Sequence, residues 1–190
     1  MPSAQDHIKK KTPFYQERDE KKREIFQKKL EAIAQQNRVY VDESGIHEYL
    51  QRQNARAIRG EKVYGAVAGS RYSRESFIAA QNESSILAPF CYTGTCNTDL
   101  FNVWLEQMLI PELKPGQVVI LDNASFHRSK ASVEILRKAG CEVLFLPPYS
   151  PDLNPIEKFW ANFKRRVKEG LHLYANLAET IDQSFLQVCS

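Results

Sequence analysis

The feature that most constrains the fold is the segment from residue 146 to residue 160, which reads Leu-Pro-Pro-Tyr-Ser-Pro-Asp-Leu-Asn-Pro-Ile-Glu-Lys-Phe-Trp. Four prolines within its first ten residues favour a stiff, extended loop, so a helix becomes possible only where they end. Asn is a favoured N-cap and Pro a favoured first helical residue, so we expect a helix that begins at Asn154-Pro155. Glu157 then lies in the first turn, where its position is fixed.

The helix that follows the loop has a single apolar face. Its apolar residues recur at intervals of three and four, at Ile156, Phe159, Trp160, Phe163 and Val167. Glu157 lies beside this face, in line with Lys164 and Lys168. A carboxylate above a row of lysines suggests a metal ligand next to a polyanion. Alternatively, Glu157 is only a first-turn acid that the helix dipole stabilises by about 0.3–1 kcal/mol. We expect Trp160 to be a core residue.

Length and composition indicate a soluble protein. The chain has 190 residues and 43% hydrophobic content, enough for one domain with a substantial core. No window approaches eighteen apolar residues and the start of the chain has no hydrophobic segment, so we expect a cytoplasmic protein that is not exported. The four cysteines lack paired CxxC spacing, which argues against a zinc site and favours reduced core thiols.

The net charge of +3 is unevenly distributed. Residues 1–37 hold nine Lys or Arg against six Asp or Glu, whereas the remaining residues balance at 17 against 17. Within that balanced part, bases gather at Lys158, Lys164, Arg165, Arg166 and Lys168. This distribution suits a phosphate backbone beside metal ions, although a solvated helix face explains the basic cluster equally well.

Hydrophobic periodicity predicts an α/β chain. A polar arm and a helix over 17–37 come first, followed by a strand over 38–45 and three β-prone segments at 61–70, 76–81 and 85–93. The rest alternates between helices and apolar strands, with helices over 97–113 and 129–139, strands over 118–122 and 141–146, and the helix after the proline loop. This order implies a mixed sheet with helices on both faces.

Three acids stand out by their location. Asp42 ends the first strand, Asp122 ends a central strand, and Glu157 begins a helix. Ligands gather at the carboxyl ends of strands in open α/β sheets, so the two aspartates could converge there. Each acid by itself is explained as a turn or cap residue. Glu43 faces the opposite side of its strand and is less suited to share a site with Asp42.

Three carboxylates around one point repel one another unless cations lie between them. Hard oxygen ligands select Mg²⁺ or Mn²⁺ rather than zinc. Two such ions about 3.5–4 Å apart can activate a water or a 3′-hydroxyl and stabilise the leaving oxygen of an attack on phosphorus. The pattern therefore predicts phosphodiester chemistry.

Three motifs together resemble those of a known family. They are Val-Asp-Glu-Ser-Gly at 41–45, Leu-Asp-Asn-Ala-Ser-Phe-His at 121–127, and Pro-Tyr-Ser-Pro-Asp-Leu-Asn-Pro-Ile-Glu at 148–157. They look like the motifs of the DDE transposases of the IS630 group, bacterial insertion sequences in the Tc1/mariner superfamily. The 34 residues between Asp122 and Glu157 are similar to the spacing of that family. The resemblance covers residues 14–175.

The resemblance implies an RNase H-like fold in which Asp42, Asp122 and Glu157 bind two Mg²⁺ ions, with Mn²⁺ able to substitute. It also implies nicking of DNA at transposon ends and joining of the 3′-hydroxyl to a target that contains TA, by a homodimer on DNA in a prokaryotic cell. Asn123 and His127 match positions that flank the second Asp, although a structural hydrogen bond is another explanation for a lone His. We assign DNA contacts to Lys158, Lys164, Arg165, Lys168 and Arg128.

The chain departs from the family at its start. Full-length members carry helix-turn-helix domains that read the transposon ends, whereas only a charged arm and a linker helix, residues 1–37, precede the catalytic domain expected over 38–175. We therefore expect chemistry without a sequence reader, and an upstream-frame helix-turn-helix partner or fusion. Residues 176–190 form a tail that is helical or frays. Two alternatives stay open: a truncated, non-catalytic remnant that binds DNA or an intact partner, and a nuclease or ribonuclease H on the same fold.

Overall fold

The computed structural model describes residues 18–47, 74–83 and 85–189. Five strands are present: β1 at Arg38–His47, β2 at Arg74–Asn82, β3 at Ser85–Thr93, β4 at Val118–Leu121 and β5 at Glu142–Phe145. Five α-helices are present among the same residues: α1 at Glu20–Glu31, α2 at Thr98–Trp104, α3 at Lys130–Lys138, α4 at Ile156–Gly170 and α5 at Leu177–Cys189.

The strands form one mixed sheet in the order β3-β2-β1-β4-β5. β1, β2 and β3 pair antiparallel, whereas β4 and β5 pair parallel to β1. The mixed sheet expected from the sequence is confirmed. β1 extends to residue 47, so Asp42, which we expected at the end of this strand, lies in its middle. The polar arm and the strand expected at 61–70 lie outside the described residues.

Alternation along β1 and β4 divides the core between the two faces of the sheet, as alternating side chains require. On one face, Val39, Val41, Val119 and Leu121 pack with α2 and α3. The residues that those two helices bury there are Phe101, Trp104 and Leu136. Helices on this face, and others on the opposite face, confirm the predicted layering.

The opposite face is covered by α1, α4 and α5. α4 contributes the apolar face predicted from the sequence, of which Ile156, Trp160, Phe163 and Val167 are buried. Phe26 of α1 packs beside Ile120 at one end of this face. Residues 176–190, expected as a tail, contain α5, whose Leu177, Ile181 and Phe185 join the α4 cluster.

Two helices differ from the prediction. The helix expected over 17–37 ends at Glu31 and is followed by a 3₁₀ turn at Gln35–Asn37. The helix expected over 97–113 changes from α to π at Leu105–Leu109 and then to 3₁₀ at Ile110–Glu112. Pro111 lies in this last turn and has no N–H to continue an α-helical ladder, which explains the change of winding there.

The described cysteines are free thiols, with Cys141 buried and Cys91 and Cys96 half-buried. In the part of the chain that the structure covers, no helix has both the length and the apolar character needed to cross a membrane.

Candidate active site

The parallel register of β1 and β4 brings two of the acids together. Tyr40 of β1 lies opposite Ile120 of β4. Extending this register by two residues places Asp42 beside Asp122 at the carboxyl end of β4. Ligand-binding side chains gather at the carboxyl ends of parallel strands, so this proximity is a consequence of the strand order.

The proline loop, residues 146–155, positions Glu157 near these two aspartates. The amide of Leu146 donates to the carbonyl of Leu121 at 2.8 Å, and the side-chain amide of Asn123 donates to the carbonyl of Leu146 at 2.7 Å. The loop then passes through Tyr149, whose φ of 54° lies in the left-handed region that non-glycine residues seldom adopt. It ends in a 3₁₀ turn at Pro151–Leu153, directly before α4.

The start of α4 corrects one prediction. Glu157 lies in the first turn as expected, but Asn154 does not cap the helix. The amide of Glu157 donates to the backbone carbonyl of Asn154 at 3.2 Å and so is not available to the Asn154 side chain. The Oδ1 atom of Asn154 is buried with no hydrogen-bond partner in the structure. α4 begins at Ile156, directly after the last of the four prolines, and Pro155 occupies the cap position instead of the first helical position.

Asp42, Asp122 and Glu157 line one cavity of about 530 Å³. Asn123, Asn154 and Ser150 are polar residues that also line it. Among the described residues, no three acidic, histidine or cysteine side chains are gathered closely enough to hold one ion. The three carboxylates therefore share a cavity and do not yet converge on a point.

Asp42 is the buried member of this set, with 9% of its surface exposed. Burial, followed by the charges of Glu157, Glu43 and Asp122, raises the pKa of Asp42 to about 8. The indole N–H of Trp160 donates to Asp42 Oδ2 at 3.1 Å. Trp160 is a core residue, as predicted, and it also fixes the position of this carboxyl group.

Asp122 is held by a histidine between two carboxylates. His127 is fully buried, and its Nδ1 lies 2.6 Å from Asp122 Oδ1 while its Nε2 lies 2.9 Å from Glu43 Oε1. Burial lowers the pKa of His127, but the hydrogen bonds to Asp122 and Glu43 outweigh it and raise this pKa to about 9. Both ring nitrogens therefore donate at neutral pH.

The same contacts orient the Asp122 carboxylate. Its Oδ1 also accepts the amide of Ala124 at 2.8 Å. Burial raises the pKa of Asp122, but the bonds from His127 and Ala124 outweigh it and leave this pKa below its usual value. Because Oδ1 accepts both bonds, the second oxygen is left for a ligand in the cavity. Glu43 does not line the cavity, yet it supports Asp122 through the imidazole ring.

None of the five predicted DNA-contact residues lines this cavity. Lys164 is half-buried near it, where burial, then Lys168 and Arg74, lower its pKa against the opposing charges of Glu157 and Asp42. Arg165 lies 3.7 Å from Glu169 and, with Arg166, lines a separate depression. Lys158 and Lys168 are exposed, and Arg128 lines a neighbouring groove.

Sequence reasoning missed two contributions to the site: the Glu43 bond to His127 and the Trp160 bond to Asp42. The partners are separated by 84 and 118 residues, respectively. The alternation of β1 correctly placed Glu43 on the face opposite Asp42, but nothing in the sequence indicated that His127 would reach across to it. An apolar periodicity likewise predicts that Trp160 is buried and gives no information on its N–H.

The strand order, with helices on both faces, defines an RNase H-like α/β fold. The chain belongs to the DDE superfamily endonuclease family, whose profile matches residues 37–180. Within the described residues, the match contains all five strands and the three acids of the cavity.

Solved structures share this fold. The Mos1 transposase paired-end complex with left transposon end has a TM-score of 0.64 at 16% identity, over 97% of this chain and 64% of that chain. The Mos1 strand transfer complex gives 0.65 at 18%, over 97% and 63%. The catalytic core domain of BIV integrase gives 0.51 at 10%, over 80% and 82%. The chain thus spans less than two thirds of those two Mos1 chains. No curated protein sequence matches it.

Proposed function

We propose that this chain is a transposase catalytic domain that cleaves DNA strands and joins a 3′-hydroxyl to target DNA in insertion-sequence transposition. The observation that carries the proposal is that Asp42, Asp122 and Glu157 line one cavity, in a member of the DDE superfamily endonucleases. The fold shared with Mos1 transposase complexes supports it.

A divalent cation fits the chemistry of this cavity. The three acids offer only carboxylate oxygens, which Mg²⁺ and Mn²⁺ prefer as ligands. The raised pKa of Asp42 indicates that its ionised form needs a positive charge nearby. Mos1 paired-end complexes with Mn and with Mg are known. We propose that Asp42, Asp122 and Glu157 hold two Mg²⁺ ions, replaceable by Mn²⁺, once their side chains turn toward them.

When bound, these cations would activate the attacking water or 3′-hydroxyl and stabilise the leaving oxygen. The other residues of the site act through position. His127 and Ala124 hold Asp122 in one orientation, Trp160 holds Asp42, and Asn123 ties the loop after β4 to the proline loop. Lys164, whose charge interacts with those of Glu157 and Asp42, would contact a phosphate beside the cavity.

The finer features of the proposal come from the motif resemblance. They are membership in the IS630 group, a TA-containing target, a homodimer on DNA, an upstream-frame helix-turn-helix partner or fusion, and action in the prokaryotic cytoplasm at the nucleoid. The proposed parts are a linker over 1–37, a catalytic domain over 38–175 and a C-terminal segment over 176–190. DNA contacts by Lys158, Arg165 and Lys168 also stay predictions.

A strand-transfer assay tests the proposal directly. The assay contains a pre-cut DNA end with a 3′-hydroxyl, Mn²⁺ and a plasmid target. Because the end is already cut, the reaction does not need sequence recognition. We expect joined product from the wild-type chain, and a loss of at least about 100-fold in Glu157→Gln because an essential ligand is removed. Glu169→Gln, on the exposed side of the same helix, is the matched control and should retain activity.

Two outcomes would contradict the proposal. Equal product from Glu157→Gln and Glu169→Gln would remove the three-acid site from the chemistry. No product from folded wild-type protein, even after an upstream DNA-binding fragment is supplied, would indicate a non-catalytic remnant instead.

A further inference from the structure

A second groove lies against the outer side of the proline loop and encloses about 330 Å³. Its charged lining residues are Lys22 and Lys29 of α1 and Arg128, which precedes α3. No Asp or Glu of the described chain lines it. Three cations around a groove with no acidic lining residue among those described create a positive potential that attracts a polyanion.

Helix α1 is fixed as one wall of this groove. Its Phe26 is buried against Ile120 and Leu146 on the sheet. Its Arg23 binds Asp152 of the proline loop, with Nη1 and Nη2 donating to the two carboxylate oxygens at 3.1 and 2.7 Å. Lys22 and Lys29 are spaced by two helical turns and so project from one side of this anchored helix.

The groove adjoins the three-acid cavity. Both are lined by Asn123 and by Leu146, Pro147 and Pro148 of the proline loop. A linear polymer that occupies the cavity can therefore pass over the two prolines into the groove. The groove, of about 330 Å³, has room for the backbone of one strand.

The three cations are available for such a ligand. Lys22 pairs with Asp19 at 3.2 Å, but its side chain is 63% exposed, so that pair is screened and easily exchanged. Arg128 lies over the ring of Phe145, 6.0 Å from the centroid, which orients the guanidinium and leaves its N–H donors at the surface. The exposed Ile25 lies between the two lysines as an apolar contact for a sugar.

We propose that this groove binds the phosphates of one DNA strand next to the cleavage site, with Lys22, Lys29 and Arg128 as the phosphate contacts. The inference rests on the proposed function for its ligand. It goes beyond the family match because α1 lies before residue 37, where that match begins. The linker helix is then part of the DNA-binding surface of the catalytic domain.

The test compares two triple variants that remove the same charge. The groove variant is Lys22→Gln, Lys29→Gln and Arg128→Gln. The control variant is Lys21→Gln, Lys28→Gln and Lys138→Gln, which takes two cations from the same helix and one from α3 without touching the groove. Equal thermal midpoints would show that both variants fold like the wild type.

Binding of a fluorescent single-stranded oligonucleotide is measured by anisotropy across a salt series in EDTA, where no cleavage occurs. We expect the groove variant to bind about tenfold or more weakly at low salt, and its slope of log K against log[salt] to shrink by about 2, near 0.7 for each lost phosphate contact. The control variant should change the slope by less than about 1.

A second readout is local. A benzophenone side chain at position 25, inside the groove, should crosslink to the oligonucleotide, whereas the same group in place of the exposed Leu173 should not. Equal effects of the two triple variants, or equal crosslinking from both positions, would overturn the groove assignment. Neither readout needs catalysis, so a failure of strand transfer with intact groove-dependent binding would reject the proposed activity alone.

Discussion

At the scale of single residues, Asp42 and Asp122 differ in protonation state. Burial, and then the neighbouring carboxylates, raise the pKa of Asp42 to about 8, so this group is largely protonated at neutral pH. Asp122 keeps its charge because His127 and Ala124 donate to it. The proton on Asp42 therefore reduces the negative charge of the cavity, and a bound cation would displace this proton.

This difference predicts how the metal-free protein responds to pH. Between the unfolded pKa of Asp42, near 3.8, and its folded pKa of about 8, the folded state binds one more proton than the unfolded state. The free energy of unfolding should therefore fall as pH rises through this window, by up to about 1.4 kcal/mol per pH unit. Asp42→Asn removes this contribution.

Urea denaturation in EDTA from pH 5 to pH 9 measures it, as the difference between the wild-type and Asp42→Asn curves. His127 loses its own stabilising contribution as pH rises toward about 9, but it does so in both proteins and largely cancels. We expect Mg²⁺ to stabilise the wild type more at pH 8 than at pH 6. Parallel curves without a pH-dependent difference would contradict the raised pKa of Asp42.

The acids could be predicted from sequence, and their supporting contacts could not. Asp122 directly follows β4 and Glu157 begins α4, whereas Asp42 lies inside β1 and comes level with Asp122 through the parallel register of these two strands. The bond from Glu43 to His127 joins residues 84 positions apart along the chain, with β2, β3, α2 and β4 between them, and it depends on the depth at which the ring is buried. Such contacts arise from packing and leave no periodic signal.

At the scale of elements, α1 and the proline loop form one unit. Asp152 accepts hydrogen bonds from both Arg23 and Arg18, the latter at 2.8 Å. Arg23 is buried although it is charged, which requires a partner of this kind. Because Asp152 lies five residues before Glu157, the docking of α1 helps to fix the loop that positions the acid.

A double-mutant cycle should measure this coupling. We expect Arg23→Ala and Asp152→Ala to show an interaction free energy of about 1–3 kcal/mol, because the pair is bidentate and one partner is buried. The exposed pair Glu134 and Lys138, 3.2 Å apart on α3, is the matched control and should give about 0.3–0.5 kcal/mol.

Amide exchange provides the structural readout for the same variants. The amides of Leu153 and Asn154 donate within the 3₁₀ turn that carries Asp152, and they should exchange faster in Arg23→Ala than in Lys138→Ala. If coupling and exchange were the same for both pairs, α1 would not hold the loop.

Element order was predictable because the apolar periods are strong. The mixed sheet and the helices on both faces followed from it. The winding changes of the helix after β3 and the missing side-chain cap at Asn154 were not predictable. Both features depend on which backbone carbonyl each amide donates to. The same residues are compatible with several hydrogen-bonding patterns.

At the scale of the whole molecule, the second face of the sheet is closed by the end of the chain. Phe185 of α5 stacks on Phe163 of α4, with ring centroids 4.1 Å apart, and also contacts Phe77 and Trp160. Trp160 in turn donates to Asp42. The sequence indicated a tail over 176–190 that is helical or frays, since one short segment does not show what it packs against.

This arrangement predicts that α5 belongs to the cooperative core. Phe185 is 6% exposed, so Phe185→Ala should lower the free energy of unfolding by about 3–5 kcal/mol through lost burial and the cavity left among the aromatic rings. Leu186→Ala, at a neighbouring position that is 61% exposed, should cost less than about 0.5 kcal/mol. Urea denaturation followed by tryptophan fluorescence measures both, since Trp160 lies in the affected cluster.

A chain that ends at residue 176 should fail to fold cooperatively, because it exposes the buried faces of Phe77, Trp160 and Phe163. If Phe185→Ala were as stable as Leu186→Ala, α5 would be an appendage, and the support that Trp160 gives to Asp42 would come from α4 and the sheet alone.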